Sequence, residues 1–216
     1  MISFLKKQTN SIKKGGVKPG SKKKQPQGTA RYTLRKSWKS ALMGGTMIKD
    51  SVKCPPGEDE NDWIAIHTIE IYNTMNHCYS LVQDFCTEEA CPKMTGPKAT
   101  FLWKSDEKDK PHDLPAKKYI DNLTNWVADQ IDNPDIFPQD DTSPYSKSFR
   151  PTIKKILSRI LRVYSHIYHQ HWSHVKSVDA DKHINTSLKH FHCFVVEFKL
   201  VDDMDLSLMK EVFEQL

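Results

Sequence analysis

Two cysteines with four residues between them, Cys86 and Cys91, stand where a long stretch of helical apolar spacing ends. Pro92 follows directly and takes the chain out of helical conformation, so the turn can aim both thiolates to one side. The matching nitrogen ligands lie in one histidine-rich run, which contains His166, His169, His171 and His174. Two thiolates and two of these imidazoles would complete a tetrahedral structural zinc site.

Spacing alone leaves this zinc hypothesis open, because a Cys-x4-Cys pair is looser than the common two-residue spacing and four histidines compete for two places. The alternative is a pair of buried cysteines beside a solvated histidine stripe. Cys54, Cys78 and Cys193 lie apart from the pair, and we expect Cys78 and Cys193 to be core thiols. Five cysteines without a secretory signal favour reduced thiols, so we expect a cytoplasmic location, with the nucleus as the alternative.

Apolar residues at steps of three and four predict the helices that position these ligands. The first long helix is predicted over residues 58–85, with an apolar face formed by Ile71, Met75, Cys78, Val82 and Phe85. Three further core helices are predicted over residues 117–131, 151–175 and 186–200, and two short helices over residues 31–42 and 206–216. Residues 99–103 are β-like and predict a short hairpin. Four core helices indicate an all-α bundle.

Charge divides the chain into two parts. Residues 1–49 hold 13 Lys or Arg and no Asp or Glu, which leaves 19 basic against 27 acidic residues in the remainder, a net charge of −8. Residues 1–30 lack apolar periodicity, so we interpret them as a flexible basic arm ahead of a domain over residues 31–216. A solvated tail is the favoured interpretation of the arm, which could also contact RNA, an anionic membrane surface or the domain itself. We expect no transmembrane segment.

Two other functional classes are an enzyme and a nucleic-acid-binding protein. Two Cys and two His fill a zinc shell and leave no open position for water, and the chain has no His-Glu-x-x-His, phosphate-loop or Gly-x-Ser-x-Gly motif. We therefore expect that the protein is not an enzyme. A zinc-stabilised nucleic-acid-binding protein acting through its basic arm is the alternative function, although the acidic remainder would repel a phosphate backbone.

Six longer sequence segments indicate which family the chain resembles. They are residues 58–65 (EDENDWIA), 85–92 (FCTEEACP), 118–121 (KYID), 162–171 (RVYSHIYHQH), 183–191 (HINTSLKHF) and 197–202 (EFKLVD). Together they resemble the Mob (Mps-one-binder) kinase-activator family from about residue 54 to the end, and the chain looks closest to the core group of that family. The resemblance implies an elongated four-helix-bundle core with flanking helices, a short hairpin and a structural zinc ion. It assigns the zinc ligands to Cys86, Cys91, His166 and His171.

The ligand assignment carries a geometric difficulty. At about 100° per residue, His166 and His171 lie about 140° apart around an ideal helix. Either the helix distorts between them or the two imidazoles straddle one flank.

The resemblance also implies two binding surfaces. Family members bind an N-terminal regulatory segment of NDR/LATS-type kinases, which assigns a kinase-binding surface to Glu58, Asp59, Asp62 and Glu70. They also bind phosphorylated segments of upstream Hippo-type kinases, which assigns a phosphopeptide pocket to Lys155, Arg159 and Arg162. A planar guanidinium suits phosphate because it donates two parallel hydrogen bonds.

Each assigned surface has a simpler interpretation. Acidic residues are common near a helix N-terminus, which accounts for three of the four acids but not for Glu70. The basic group could be the ordinary solvated side of an amphipathic helix. The chain also departs from the family at Ser158, where a basic residue is usual, so we expect a weaker or differently shaped phosphopeptide pocket.

Overall fold

The computed structural model describes residues 48–105, 108–138 and 143–216. Its helices in chain order are α1 (Ile48–Ser51), α2 (Glu60–Ser80), α3 (Ala116–Asp132), α4 (Phe149–Gln170), α5 (Trp172–Ser177), α6 (Asp181–Glu197), α7 (Asp203–Leu206), a 3₁₀ turn (Ser207–Met209) and α8 (Lys210–Phe213). The described part of the chain is therefore mostly helical, as predicted. The predicted arm and the predicted helix over residues 31–42 lie outside it.

The four long helices pack into one core. α2 packs against both α4 and α6, and α3 packs against α4. Two buried hydrogen bonds add to this packing: the Tyr72 hydroxyl donates to the Thr124 carbonyl at 2.9 Å, and the Tyr164 and Ser187 hydroxyls lie 2.5 Å apart. None of the described helices is long and apolar enough to cross a bilayer.

The apolar face of α4 is buried as its spacing predicts. Five of its predicted core residues are fully buried: Ile153, Leu157, Ile160, Tyr164 and Ile167. Each such side chain contributes about 1.5–3 kcal/mol when removed from water. This stripe makes α4 a rigid support for the side chains on its other faces.

α2 is shorter at both ends than the predicted helix over residues 58–85. It begins at Glu60 because the Asp59 side chain caps it, accepting from the backbone N–H groups of Asn61 at 2.8 Å and Asp62 at 3.1 Å. After Ser80 the chain continues in turns rather than helix. As a result Phe85, predicted as a core residue, is 44% exposed.

The predicted continuous helix over residues 151–175 is also wrong. α4 starts at Phe149, so Pro151 lies in the first turn, where its missing N–H is not needed. The helix ends at Gln170, and His171 separates it from α5 with φ −122° and ψ 11°. This break falls inside the histidine-rich run.

The predicted hairpin is replaced by two isolated antiparallel bridges, Thr95 with Thr100 and Trp103 with His112, and residues 90–105 and 108–115 contain no strand. Pro97 stands between Thr95 and Thr100, and Pro111 stands next to His112; proline is disfavoured within β-strands, which fits the absence of longer pairing here. The hairpin prediction therefore holds only as a local pairing of loop residues.

A buried histidine pair joins α2 to α6. His67 Nδ1 lies 3.2 Å from His190 Nε2, and the His67 ring stacks on Phe194 with a centroid distance of 4.9 Å. Burial lowers the pKa of His190 to about 4, and burial together with His190 lowers the pKa of His67. Both rings are therefore neutral in the folded protein at pH 7.

We predict that this pair makes the fold sensitive to acid. Below pH 6.5 the two histidines bind protons in the unfolded chain but stay neutral in the folded protein. The stability that the neutral pair contributes is therefore fully present above pH 6.5 and is lost as the pH drops toward 4. The loss from His190 alone should be about 2 kcal/mol at pH 5. His190→Leu should lose less stability than wild type between pH 7 and pH 5, measured by chemical denaturation at each pH.

The matched control is His183→Leu, which removes an exposed histidine from the same helix, α6, and should show the wild-type loss of stability between pH 7 and pH 5. A His190→Leu protein with the same pH dependence as wild type would contradict the prediction.

Candidate metal centre and flanking charged surfaces

Four buried side chains form a cluster between the loop after α2 and the end of α4. The ligand atoms of Cys86, Cys91, His166 and His171 all lie within 4.8 Å of one another. Cys86 Sγ is 3.4 Å from His166 Nε2, and Cys91 Sγ is 3.5 Å from His171 Nε2. These separations suit the edges of a tetrahedron whose central ion lies about 2.0–2.3 Å from each ligand. The cluster could therefore hold a metal ion.

The helix break at His171 solves the angular problem posed by the sequence. Because α4 ends at Gln170, His171 is not held at its ideal helical position, although its N–H still donates to the Ile167 carbonyl at 2.9 Å. The two imidazole centroids are 5.1 Å apart with their planes at 71°, so the rings approach the same point from different directions. The helix distorts, which was one of the two expected solutions.

A backbone carbonyl orients the first of these imidazoles. His166 Nδ1 lies 2.9 Å from the Thr95 carbonyl oxygen. Because a carbonyl can only accept, Nδ1 carries the proton and Nε2 presents its lone pair to the cysteines. Such an outer contact is typical of metal-binding histidines and fixes both tautomer and ring orientation.

Burial sets the protonation of the ligand groups in favour of a neutral imidazole. It lowers the pKa of His166, and burial together with His166 and His174 lowers the pKa of His171 to about 4. Burial also raises the pKa of the Cys86 thiol to about 12. The imidazole lone pairs are thus available at pH 7, and a cation bound among the four groups would displace the thiol protons.

One buried polar atom beside the cluster also fits a metal centre. The Tyr79 hydroxyl lies near Cys86 and lowers the pKa of that thiol, against the effect of burial, but it has no hydrogen-bond partner of ordinary geometry within the described residues. A Cys86 thiolate would give this hydroxyl a strong acceptor. His171 Nδ1 is also buried without a hydrogen-bond partner within the described residues, so this imidazole lacks the outer contact that His166 has. The other two histidines of the run lie outside the cluster. His169 is exposed, and the His174 ring stacks on the Phe85 ring with the centroids 4.1 Å apart.

The predicted phosphate-binding residues are held by aromatic side chains. Arg159 is 7% exposed and lies between Trp103 and Trp126, with its guanidinium carbon 4.5 and 4.6 Å from the two ring centroids. Its Nη2 donates to the Lys104 carbonyl at 2.8 Å, and its Nη1 is buried without a partner in the described residues. Arg159 is therefore a cation fixed below the surface rather than a solvated one.

The other two cations of this group are more accessible. Arg162 is half-buried, donates from Nη1 to the Tyr119 hydroxyl at 3.0 Å and lies over the Phe101 ring. Lys155 is exposed, with its Nζ 5.4 Å from the centroid of Trp126. The structure thus brings all three residues onto one aromatic surface. Sequence reasoning did not anticipate these aromatic partners, because their contacts join distant parts of the chain.

The predicted kinase-binding acids do not form one helical stripe. Glu58 and Asp59 precede α2, and Asp59 caps it. Asp62 accepts a hydrogen bond from the Tyr145 hydroxyl at 2.7 Å, and Glu70 lies half-buried two turns further along. Because the helix begins at Glu60, later than predicted, only Asp62 and Glu70 of the four acids are helical residues. Sequence reasoning also overlooked Glu60, which pairs with Arg150.

Comparisons with known proteins bear on the whole chain. The sequence model of the Mob1/phocein family matches residues 39–209. A Dictyostelium discoideum protein named MOB kinase activator-like 2 is 55% identical over 216 residues, which is 100% of this chain and 97% of that protein. The Homo sapiens protein named MOB kinase activator 3A is 40% identical over 193 residues, covering 88% of this chain and 89% of the relative. MOB kinase activator 3B from Homo sapiens is 40% identical over 197 residues, covering 90% and 91%.

We predict that Gly96 is required for the geometry of the cluster. A Cβ at this position would clash with Ser165 Oγ and would lie 3.1 Å from the Phe101 ring, so Gly96→Ala requires a shift of these side chains or of the loop. Because Ser165 and Phe101 are buried, we expect the loop to move away from α4 and to take the Thr95 carbonyl with it. Overpacking of this kind costs about 1–3 kcal/mol. Gly96→Ala should hold less metal per chain, measured by elemental analysis, and should melt at a lower temperature than wild type.

Ser165→Ala supplies a rescue, because it removes the atom that the new Cβ would meet most closely. Ser165 Oγ has no hydrogen-bond partner among the described residues, so this change alone should be nearly neutral. The double variant should recover part of the metal content. Full metal content in Gly96→Ala alone would show that the close approach of loop and helix is not needed.

Proposed function

Because the chain belongs to the Mob1/phocein family, we propose that it is a non-catalytic activator that binds a protein kinase. The observation that carries this proposal is its similarity, along nearly the whole length of each protein, to relatives named MOB kinase activators. The family membership also confirms the resemblance inferred from the sequence motifs. The alternative nucleic-acid function concerns residues 1–30, outside the described residues, and no described feature favours it.

The first part of the proposal is a kinase-docking surface at α2. Glu58 and Asp59 are exposed at the start of this helix, and Asp62 and Glu70 continue the negative charge along it. A basic helical segment from the N-terminal regulatory region of an NDR/LATS-type kinase would complement this charge. Such complementarity contributes chiefly to orientation and association rate.

The second part is recognition of a phosphorylated segment of a Hippo-type kinase at α4. Arg162 and Lys155 supply accessible positive charge, and Arg159 adds a fixed charge beneath them. Their aromatic supports hold the cations in place, so less side-chain freedom is lost when a phosphate binds. Two kinases could thus be held on one adaptor.

The third part is the identity of the metal, which we propose to be one structural zinc ion. Thiolate and imidazole ligands in a four-coordinate arrangement suit zinc, and a shell filled by two Cys and two His leaves no position for catalytic water. Zinc would supply charge to hold the two thiolates and thereby crosslink the loop to α4. The five free cysteines favour reducing surroundings, so we place the protein in the cytoplasm, with the nucleus as the alternative.

For the metal, we predict one zinc per chain in purified protein and loss of that zinc in Cys86→Ser. Because metal binding is coupled to folding, the variant should also melt at a substantially lower temperature. Elemental analysis and thermal unfolding check both points. Cys193→Ser, which changes a cysteine outside the cluster, serves as the control and should keep its zinc. Zinc-free wild-type protein would remove this part of the proposal.

For the phosphopeptide surface, we predict that Arg162→Ala weakens binding of a phosphothreonine peptide by about tenfold or more, as expected for loss of a charge-assisted hydrogen bond. The unphosphorylated peptide should bind weakly to both proteins. Lys154→Ala is the control, since Lys154 is an exposed cation next to Lys155 on the same helix. Calorimetry that gives equal affinities for the two peptide forms would rule out phosphate recognition.

Ser158→Lys should bind the phosphothreonine peptide more tightly than wild type, because it places a basic residue where the family usually has one.

For kinase docking, we predict that Asp62→Lys with Glu70→Lys weakens binding of an NDR/LATS-type kinase segment by about tenfold or more. Single exposed ion pairs contribute about 0–1 kcal/mol, whereas the two reversals add repulsion to the loss. Binding and kinase activity are measured on protein whose zinc content and melting temperature match wild type.

The control for docking reverses two exposed acids elsewhere, Asp129→Lys with Asp135→Lys, and makes the same change in net charge. This control should bind the kinase segment and activate the kinase as well as wild type does. If the α2 variant activates the kinase as well as the control does, the docking surface lies elsewhere.

A further inference from the structure

The first turn of α2 is held by side chains from the segment 145–150, which leads into α4. The Tyr145 hydroxyl donates to Asp62 at 2.7 Å, and Arg150 Nε donates to Asn61 Oδ1 at 2.8 Å. Arg150 Nη2 also binds the Glu60 carboxylate. Three consecutive residues at the start of α2 are thus each contacted by this segment, and no local pattern in the chain predicts these contacts.

The Arg150 contacts are made at the surface. The Arg150 side chain is 39% exposed and that of Glu60 is 56% exposed. An ion pair this exposed contributes little net stability, so it orders the two side chains without fixing them firmly. A cation from another molecule can therefore displace Arg150 at small energetic cost.

The position of Arg150 also defines what kind of cation fits. Its Nε and Nη2 groups donate to two different acceptors, an amide oxygen and a carboxylate oxygen, on adjacent residues. A guanidinium presents several donors in a fixed plane and can serve both acceptors at once. An ammonium group is a compact point charge and reproduces this arrangement less well.

We propose that Arg150 is an intramolecular competitor that occupies Glu60 and Asn61 until an arginine of the docking partner replaces it. This inference rests on the proposed kinase docking at α2 and adds two features to it. The partner segment carries an arginine that reaches the first turn of α2, and docking releases Arg150 from that turn. Arg150 thereby lowers the affinity for basic segments that lack such an arginine.

The test uses the full chain and a synthetic amphipathic helical peptide with arginines on its polar face. Arg150→Gln should bind this peptide up to about fivefold more tightly than wild type, the factor that corresponds to about 1 kcal/mol. Lys147→Gln removes the same charge from an exposed residue of the same segment and controls for net charge. It should change the affinity little. The same peptide with lysine at each arginine should gain less from Arg150→Gln.

A double-mutant cycle with Glu60 decides whether the gain arises at the assigned contact. In wild type Glu60 is already paired, so Glu60→Gln alone should have a small effect on peptide affinity. In the Glu60→Gln background, Arg150→Gln should bring no more gain than Lys147→Gln does. If Arg150→Gln lowers the melting temperature, Arg150→Lys, which keeps the charge but loses the fork, should give an intermediate gain.

The outcomes separate this inference from the docking proposal. If Asp62→Lys with Glu70→Lys does not weaken peptide binding, docking lies elsewhere and both ideas fail. If that variant does lose binding but Arg150→Gln matches Lys147→Gln, or its gain persists without Glu60, the docking surface stands and the role assigned to Arg150 is overturned.

Discussion

The contact between Cys86 and His166, 80 residues apart, and the parallel contact between Cys91 and His171 are the constraint on which the rest of the structure depends. They join the end of α2 and the loop that follows it to the end of α4. Residues 81–115 contain no helix or strand in their described part, and a connection of this length needs a tether to remain ordered. A metal ion that holds all four side chains would provide that tether at one buried point.

The same constraint explains local features that appear unrelated in the sequence. His171 leaves helical geometry because its imidazole must meet His166 from another direction. The loop passes close enough to α4 for the Thr95 carbonyl to accept from His166, and this approach leaves no space for a side chain at Gly96. A break in a helix, a backbone hydrogen bond and a glycine are thus three consequences of one geometric requirement.

The features that sequence predicts well are those encoded by local periodicity. The buried faces of α2 and α4 follow from apolar spacing, and the grouping of Cys86 with Cys91 follows from their closeness in the chain. The helix end at Gln170 has no local signal, since neither Gly nor Pro stands there, and the break depends on ligands from a distant loop. The pairing of Arg159 with Trp103 and Trp126 is equally non-local. Sequence could suggest cations at α4 but could not show that one of them is buried.

α4 carries residues at three of the features with a proposed role. Its N-terminal turn carries Arg150 against α2, its middle carries Arg159 on the aromatic surface, and its end carries His166 in the cluster. At 1.5 Å per residue these three positions lie about 14 Å and about 10 Å apart along the axis. Because the apolar stripe of α4 is fully buried between them, a metal ion bound at one end of the helix would present the other two sites at fixed spacing. Loss of such an ion would therefore act on both proposed surfaces through the placement of α4, whereas we expect a change at either surface to leave the buried stripe and the cluster intact.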